Sequence, residues 1–335
     1  MKKLAYAAAA VLALALPAHS ADWKPEKPIN IIVPWSAGGS TDQVTRVVAP
    51  ILEKALGTSV VVVNQPGASG SIGTKAALDA PRDGYTWTAN AVANNATYAI
   101  TGLAPGTSID DYKIYLHVAN VPVVSVTTDS KYQDFGQLLE AMRSGSDDVT
   151  IGTAGVNSSG GMALAAIKEA AGDIKARMVT YDGGNPAAIA AASGEVKGTT
   201  QLAVEQTELI RGGKLRPLAV LSDQPLEVEG LDPIPPITNW LPEMTIAPDY
   251  FGILIPAGAP QEVYDTMDKV WKEAVMTSDE LKHYATSRGA VFDPSYGDAA
   301  MKKAMPVAIS EACARVTRGE AVVDPSTIGI TCPAH

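Results

Sequence analysis

The stretch Ile29 to Leu56, INIIVPWSAGGSTDQVTRVVAPILEKAL, limits the fold more than any other. Its opening run, Ile29 to Val33, has the length of a buried strand. Pro34 to Asp42 follow as a loop rich in glycine and hydroxyls. Val44, Val47, Val48, Ile51, Leu52, Ala55 and Leu56 then recur at helical spacing and share one face. Ser40, Thr41 and Asp42 are all N-cap types. Gly38 and Gly39 let the backbone approach whatever lies in front of the helix. The unpaired N–H groups of a first turn, with the helix dipole, make an anion site from neutral atoms. Two readings of the glycine pair stay open here: a tight strand–helix turn, or an anion-binding loop. Pro50, inside the helix, predicts a bend.

The unit recurs. Val149 to Gly152 reads as a strand, Thr153 to Gly161 as a Gly/Ser loop, and Met162 to Ala171 as a helix ended by Gly172. The repeat predicts an α/β chain of two similar lobes, with both helix N-termini facing one cleft. Between the units stand a strand at Val60 to Val63 and a second Gly-rich loop, Asn64 to Gly73. A short helix near Thr74 to Ala80, a strand at Tyr85 to Ala89 and a polar loop with Asn94 and Asn95 come next. The loop reads G-x-x-G-x-x-G, which is not the dinucleotide fingerprint. Leu116 to Ala119 and Val121 to Thr127 read as strands able to cross between lobes. Thr277 and Glu280 predict a capping box. The chain beyond Met301 reads as partly helical, then irregular.

Residues 1 to 20 read as a secretory signal: Lys2 and Lys3, an apolar Leu4 to Leu16, and small residues Ala18 and Ser20. The apolar run is too short to span a bilayer. An exported, periplasmic product of about 315 residues is expected, a length that favours two lobes. The full chain has 26 basic and 36 acidic residues; without Lys2 and Lys3 the count is 24 against 36. That acidity argues against nucleic acid and anionic lipid, and no later segment is long and apolar enough for membrane insertion. Any anionic ligand must be held by local donors. The only cysteines, Cys313 and Cys332, predict one disulfide and no free thiol in an oxidising compartment. The histidines (His19, His117, His283 and His335) are scattered, so no metal site is expected. No nucleophile elbow or P-loop lysine is present. No catalytic residue and no cofactor is expected.

The segments IIVPWSAGGSTD, VVVNQPGASGSIG, PRDGYTW and YFGILIPAGAPQEVYDTM stand in the order of the periplasmic receptors of tripartite tricarboxylate transporters, the Bug family, which the chain resembles from about Lys24 to Pro294. The resemblance implies a monomeric two-lobed "Venus flytrap" that closes on a small organic carboxylate and hands it to membrane transporter subunits. It implies ligand contacts from Trp35, Gly38, Gly39, Ser40, Thr41 and Asp42 in the first loop, with Asn94 nearby. From the second lobe it implies Gly155, Asn157, Ser158, Ser159, Tyr181, Asp182 and Gly183. Asp42 is the exception within the set, suited to capping its helix or holding the loop. Trp35 suits a pocket wall or packing. The chain departs from the family pattern at Asn157, Gly161, Asp182 and Lys197, where glycine, histidine, lysine and aspartate are usual. Lys197 either offsets ligand charge or pairs on the surface with a neighbour such as Asp182. The expected division is 21–125 for the first lobe, 126–235 for the second, 236–300 for a return to the first, and 301–335 for a tail carrying the disulfide. A periplasmic hydrolase and a sensor for a signalling partner are the rival readings.

Overall fold

The computed structural model describes residues 22–244 and 248–332; the expected signal, residues 1 to 20, lies outside the described residues. The first sheet is built from β1 (Ile29–Val33), β2 (Val60–Asn64), β3 (Thr86–Ala91), β4 (Tyr112–Asn120), β10 (Asp249–Pro256) and β11 (Val291–Tyr296). The second holds β5 (Val123–Thr127), β6 (Val149–Thr153), β7 (Ala176–Thr180), β8 (Gly198–Thr199) and β9 (Leu215–Val220). Their orders are β11-β4-β10-β3-β1-β2 and β7-β6-β8-β5-β9. β1 lies parallel between β2 and β3, and β10 runs antiparallel between β3 and β4. In the second sheet β6 lies parallel between β7 and β8, and β5 is antiparallel to β8 and β9. The chain crosses between sheets at Val121–Pro122, as the consecutive strands β4 and β5 require.

The helices are α1 (Ser40–Leu56), α2 (Ser71–Asp79), α3 (Val92–Tyr98), α4 (Phe135–Ser144), α5 (Ser159–Ala171), α6 (Gly184–Ala192), α7 (Ala203–Arg211), α8 (Gln261–Val270), α9 (Asp279–Arg288) and α10 (Gly297–Thr317). Ile29, Ile31 and Val33, on one face of β1 in the first sheet, are fully buried, while Asn30 on the other face is exposed and Ile32 half-buried. α1 lays Val44, Val48 and Leu52 against that sheet, with α8 and α9 on the same side. α2, α3 and α10 cover the other face. Trp87 and Trp271 fill this lobe and donate their indole N–H groups to the carbonyls of Gly84 and Leu116. Phe135, Leu138, Val149, Ile151 and Leu164 form the core of the second lobe.

Several expectations change. α1 runs unbroken through Pro50, whose position is exposed. Asn94 and Asn95 lie in α3 rather than in a loop. α9 is capped by Ser278, which accepts from Leu281 N–H at 3.1 Å, while Thr277 bonds back to the Glu273 carbonyl. β11 escaped the sequence reading because Pro294 interrupts it; the pairing with β4 slips between Phe292 and Ser295, where an edge strand tolerates proline. The return to the first lobe comes later than residue 236: Ile237, Leu241 and Met244 pack in the second core, and the first sheet resumes at Asp249. The stretch after Met301 continues α10, which packs on α3 and β4. Cys313 and Cys332 form the expected disulfide, beside a small cluster of Ile100, Ala312 and Ile330. Closing a loop of that length contributes roughly 3 kcal/mol. Among the described residues no helix is long and apolar enough to cross a membrane.

Candidate functional site

Both expected helix N-termini point into one cavity between the lobes. Trp35, Ser40 and Thr41 of the first loop line it with Asn94 of α3 and Phe251 of β10. Ala154, Ser158, Ser159, Gly184, Gln201, Leu202 and Glu205 line it from the second lobe. The lobes are shut in this conformation, leaving a cavity of about 20 Å³, the space of a water. Six of the fourteen residues expected at the ligand therefore meet here: Trp35, Ser40, Thr41, Asn94, Ser158 and Ser159.

The first loop is tied largely to the protein itself. Ser36 N–H donates to the Asp182 carbonyl at 3.3 Å, and Gly39 N–H to the Ser36 carbonyl at 3.4 Å. Gly38 N–H donates to Asp42 Oδ2 and Ser40 N–H to Glu205 Oε1, both at 2.9 Å. The left-handed turn belongs to Gly38, with φ +80°; Gly39 has φ −71°. Asp42 also accepts from Arg46 Nε and Asn64 Nδ2. Burial works against its charge, but the bonds from Arg46, Gly38 N–H and Asn64 outweigh that and hold its carboxyl below the usual range. Asp42 thus fastens the loop, as its residue type suggested. Trp35 both lines the cavity and packs: its Nε1 donates to Asn90 Oδ1 at 2.9 Å, and Gly70 lies against its ring with no room for a Cβ.

In the second loop Ser158 caps α5, accepting from Gly161 N–H at 3.0 Å and donating to the Gly155 carbonyl at 2.7 Å. Gly155 has φ +103° and sits against Ser69 across the lobes. A Cβ on Gly161 would stand 2.1 Å from the Gly155 carbonyl oxygen, so this loop has no place for a histidine there. Asn157 reaches across to Thr101 Oγ1 at 2.7 Å instead of entering the cavity. Ser159 donates its hydroxyl to Asp249. Tyr181 points away and donates to Glu195 Oε1 at 2.7 Å. The Asp182 side chain is exposed and Gly183 packs on Ser36, so only Gly184, next in line, reaches the cavity. Lys197 is exposed and helps to lower the Asp147 carboxyl.

Glu205, Gln201 and Gly184 were missed by sequence reasoning. The available signal was local: Glu205 is the third residue of α7 and accepts from Leu202 N–H at 3.2 Å, half of a capping box. With its amide oriented to suit its neighbours, Gln201 donates to Glu205 Oε2 and accepts from Ala154 N–H. Burial raises the Glu205 carboxyl, opposed by the bonds from Ser40 and Leu202. Burial likewise pushes the Asp249 carboxyl up to about 7, against its bond from Ser159 and with Glu311 adding repulsion. No lysine, arginine or histidine lines the cavity. His117 is sealed within β4 and His283 lies on the outside of α9. Among the described residues no cluster of His, Cys, Asp and Glu could hold a metal ion.

Two α/β lobes with paired helix N-termini at a closing cleft define a solute-binding protein of the periplasmic type. The profile of the tripartite tricarboxylate transporter family receptors matches residues 44–309, and the chain belongs to that family, one of receptors rather than enzymes. Protein BugT of Bordetella pertussis is 29% identical over 273 residues, covering 79% of this chain and 82% of that one. The periplasmic binding protein BugD superposes with a TM-score of 0.80 at 24% identity, covering 89% of this chain and 99% of BugD. An R. palustris protein solved with adipate superposes with a TM-score of 0.79 at 24% identity, covering 88% of this chain and 98% of that one.

Proposed function

We propose that this protein is an extracytoplasmic receptor that captures a small organic carboxylate in the interlobe cleft and delivers it to the membrane subunits of a tripartite tricarboxylate transporter. The observation that carries the reading is the convergence of the α1 and α5 N-termini on one cavity. Partial positive charge from the helix ends suits a carboxylate in a site without a cationic side chain, with Glu205 already on the Ser40 N–H at α1 and Asp249 on the Ser159 hydroxyl at α5. The N–H groups of Ser159 and Gly160 open α5, and the hydroxyls of Ser40, Thr41 and Ser159 surround the same space. The adipate held by one structural neighbour and the malate held by another support the ligand class. The signal-like residues 1 to 20 support export to the periplasm.

A thermal-shift screen of organic acids tests this. An acid at 100 times its dissociation constant adds about 2.7 kcal/mol of stability, read as a clear rise in melting temperature. A screen in which sugars or amines raise the melting temperature and no carboxylate does would contradict the reading.

A further inference from the structure

The lobes are also joined outside the cavity, by the end of the chain. α10 packs on α3 and β4 of the first lobe. Arg315, near its end, is 2% exposed. Its Nη2 donates to the Val156 carbonyl of the second lobe at 2.6 Å. Its Nη1 donates to Glu320 Oε2 within the tail, also at 2.6 Å. On the next turn Arg318 lies 3.6 Å from Glu169 Oε2 of α5 and 3.2 Å from Glu320 Oε1.

The first lobe also holds the residue after Val156. Asn157 is fully buried, and its Nδ2 donates to Thr101 Oγ1 at 2.7 Å. Thr101 follows α3, and the tail fixes that place. The Val322 N–H donates to the Ile100 carbonyl at 2.8 Å, and Ile330 packs on Ile100. Cys313, on the same turn of α10 as Arg315, is bonded to Cys332. The bridge thus closes a loop of chain that contains both Arg315 and Glu320.

Ala154 and Ser158, on either side of this pair, line the cavity. The second loop therefore faces the cleft on its inner side and is gripped by the first lobe on its outer side. The Arg315–Glu320 bond lies within the tail and survives opening. The Arg315–Val156 bond spans the lobes and is lost when they part, so it favours the closed state alone. Binding that requires the closed state weakens in proportion as that state is depopulated.

We propose that the disulfide-tied tail is a clasp on the second lobe and that Arg315 is a positioning residue for closure. It holds the Val156–Asn157 backbone, and through it the cavity wall, without entering the cavity. The family profile ends at residue 309, before Arg315 and the tail. Closure of this kind is independent of the class of solute bound.

Amide hydrogen exchange of the mature, disulfide-bonded chain, with no solute added, tests it. The Ser40 N–H is bonded to Glu205 across the cleft and is exposed by parting the lobes. Ile31, fully buried in the first sheet, is exposed by unfolding. In wild type Ser40 should be protected, yet exchange faster than Ile31. Arg315→Met keeps the packed stem and removes the guanidinium. It should raise the Ser40 rate about tenfold or more, the effect of losing one charge-assisted bond. Thr101→Val leaves Arg315 in place, takes the acceptor from Asn157 and should raise the same rate; it carries the test if Arg315→Met does not fold by circular dichroism. An unchanged Ser40 rate in the folded variants overturns the proposal. So does a wild-type Ser40 without protection, which would mean that nothing holds the lobes together, or one that shares the rate of Ile31, which would mean that they do not part short of unfolding.

Discussion

Asp249→Asn will stabilise the protein by up to about 4 kcal/mol at pH 8 and by well under about 1 kcal/mol at pH 4. Asp249 opens β10 at the edge of the cleft, accepts the Ser159 hydroxyl through Oδ2 and leaves Oδ1 buried without a partner. Burial is the main reason its carboxyl is raised to about 7, and the nearby Glu311 adds to it. The native state therefore holds a proton between about pH 4 and pH 7 that the unfolded chain has released. Stability is fully present below the unfolded value and is lost as pH rises through the folded one. Asparagine keeps an oxygen for Ser159 and carries no charge, so its advantage grows across that window. Urea unfolding of wild type and variant at the two pH values measures the difference. An equal effect at both would show that Asp249 is ionised without cost.

The opposite dependence belongs to His117. It lies in β4, fully buried, with Nδ1 accepting the Val118 N–H and Nε2 without a partner. Desolvation alone lowers its pKa to about 3. The unfolded chain binds a proton there below about pH 6.5, whereas the folded protein does so only near pH 3. Stability from this group is present above the unfolded value and is lost as pH falls. Between pH 7 and pH 4 the loss is about 3 kcal/mol. His117→Asn will lower stability at neutral pH by removing a filled core position, but its loss on acidification will be smaller than that of wild type by that amount. Equal losses in the two proteins would mean that His117 titrates normally. The two groups act in opposite senses over overlapping ranges, so the variants are more informative than the pH profile of wild type alone.

The sequence carried the two strand–loop–helix units because each rests on strong local rules, an apolar run, a Gly/Ser loop and an apolar stripe, but the hydroxyl cap expected for α1 is absent: its N-cap is Gly39, with no side-chain cap. Ser158 caps α5 in the structure, a role hidden because the sequence reading begins that helix at Met162. Elements set by partners were harder to read. β8 is two residues long and exists because β5 and β6 flank it. β11 contains a proline and depends on β4 for its pairing. The same distinction holds at the site. Ser40 and Thr41 were legible as helix-start types, whereas the sequence places Ser158 and Ser159 in the loop, and α5 begins three residues earlier than the expected Met162. Tyr181 and Asp182 came from the family pattern and face away. Glu205 was illegible because its partner, Ser40, lies 165 residues away, and only the folded chain brings an acidic side chain to a site suited to anions.

The central claim, that a carboxylate is held at the α5 end of the cleft, is tested most directly by backbone amide spectra of the isotope-labelled mature chain. The chain is titrated with whichever organic acid raises its melting temperature. Our account predicts the largest shifts at the Ser159 and Gly160 amides, with smaller ones at Thr41 across the cleft. Saturating shifts confined to residues outside the two loops, with Ser159 and Gly160 unmoved, would contradict it.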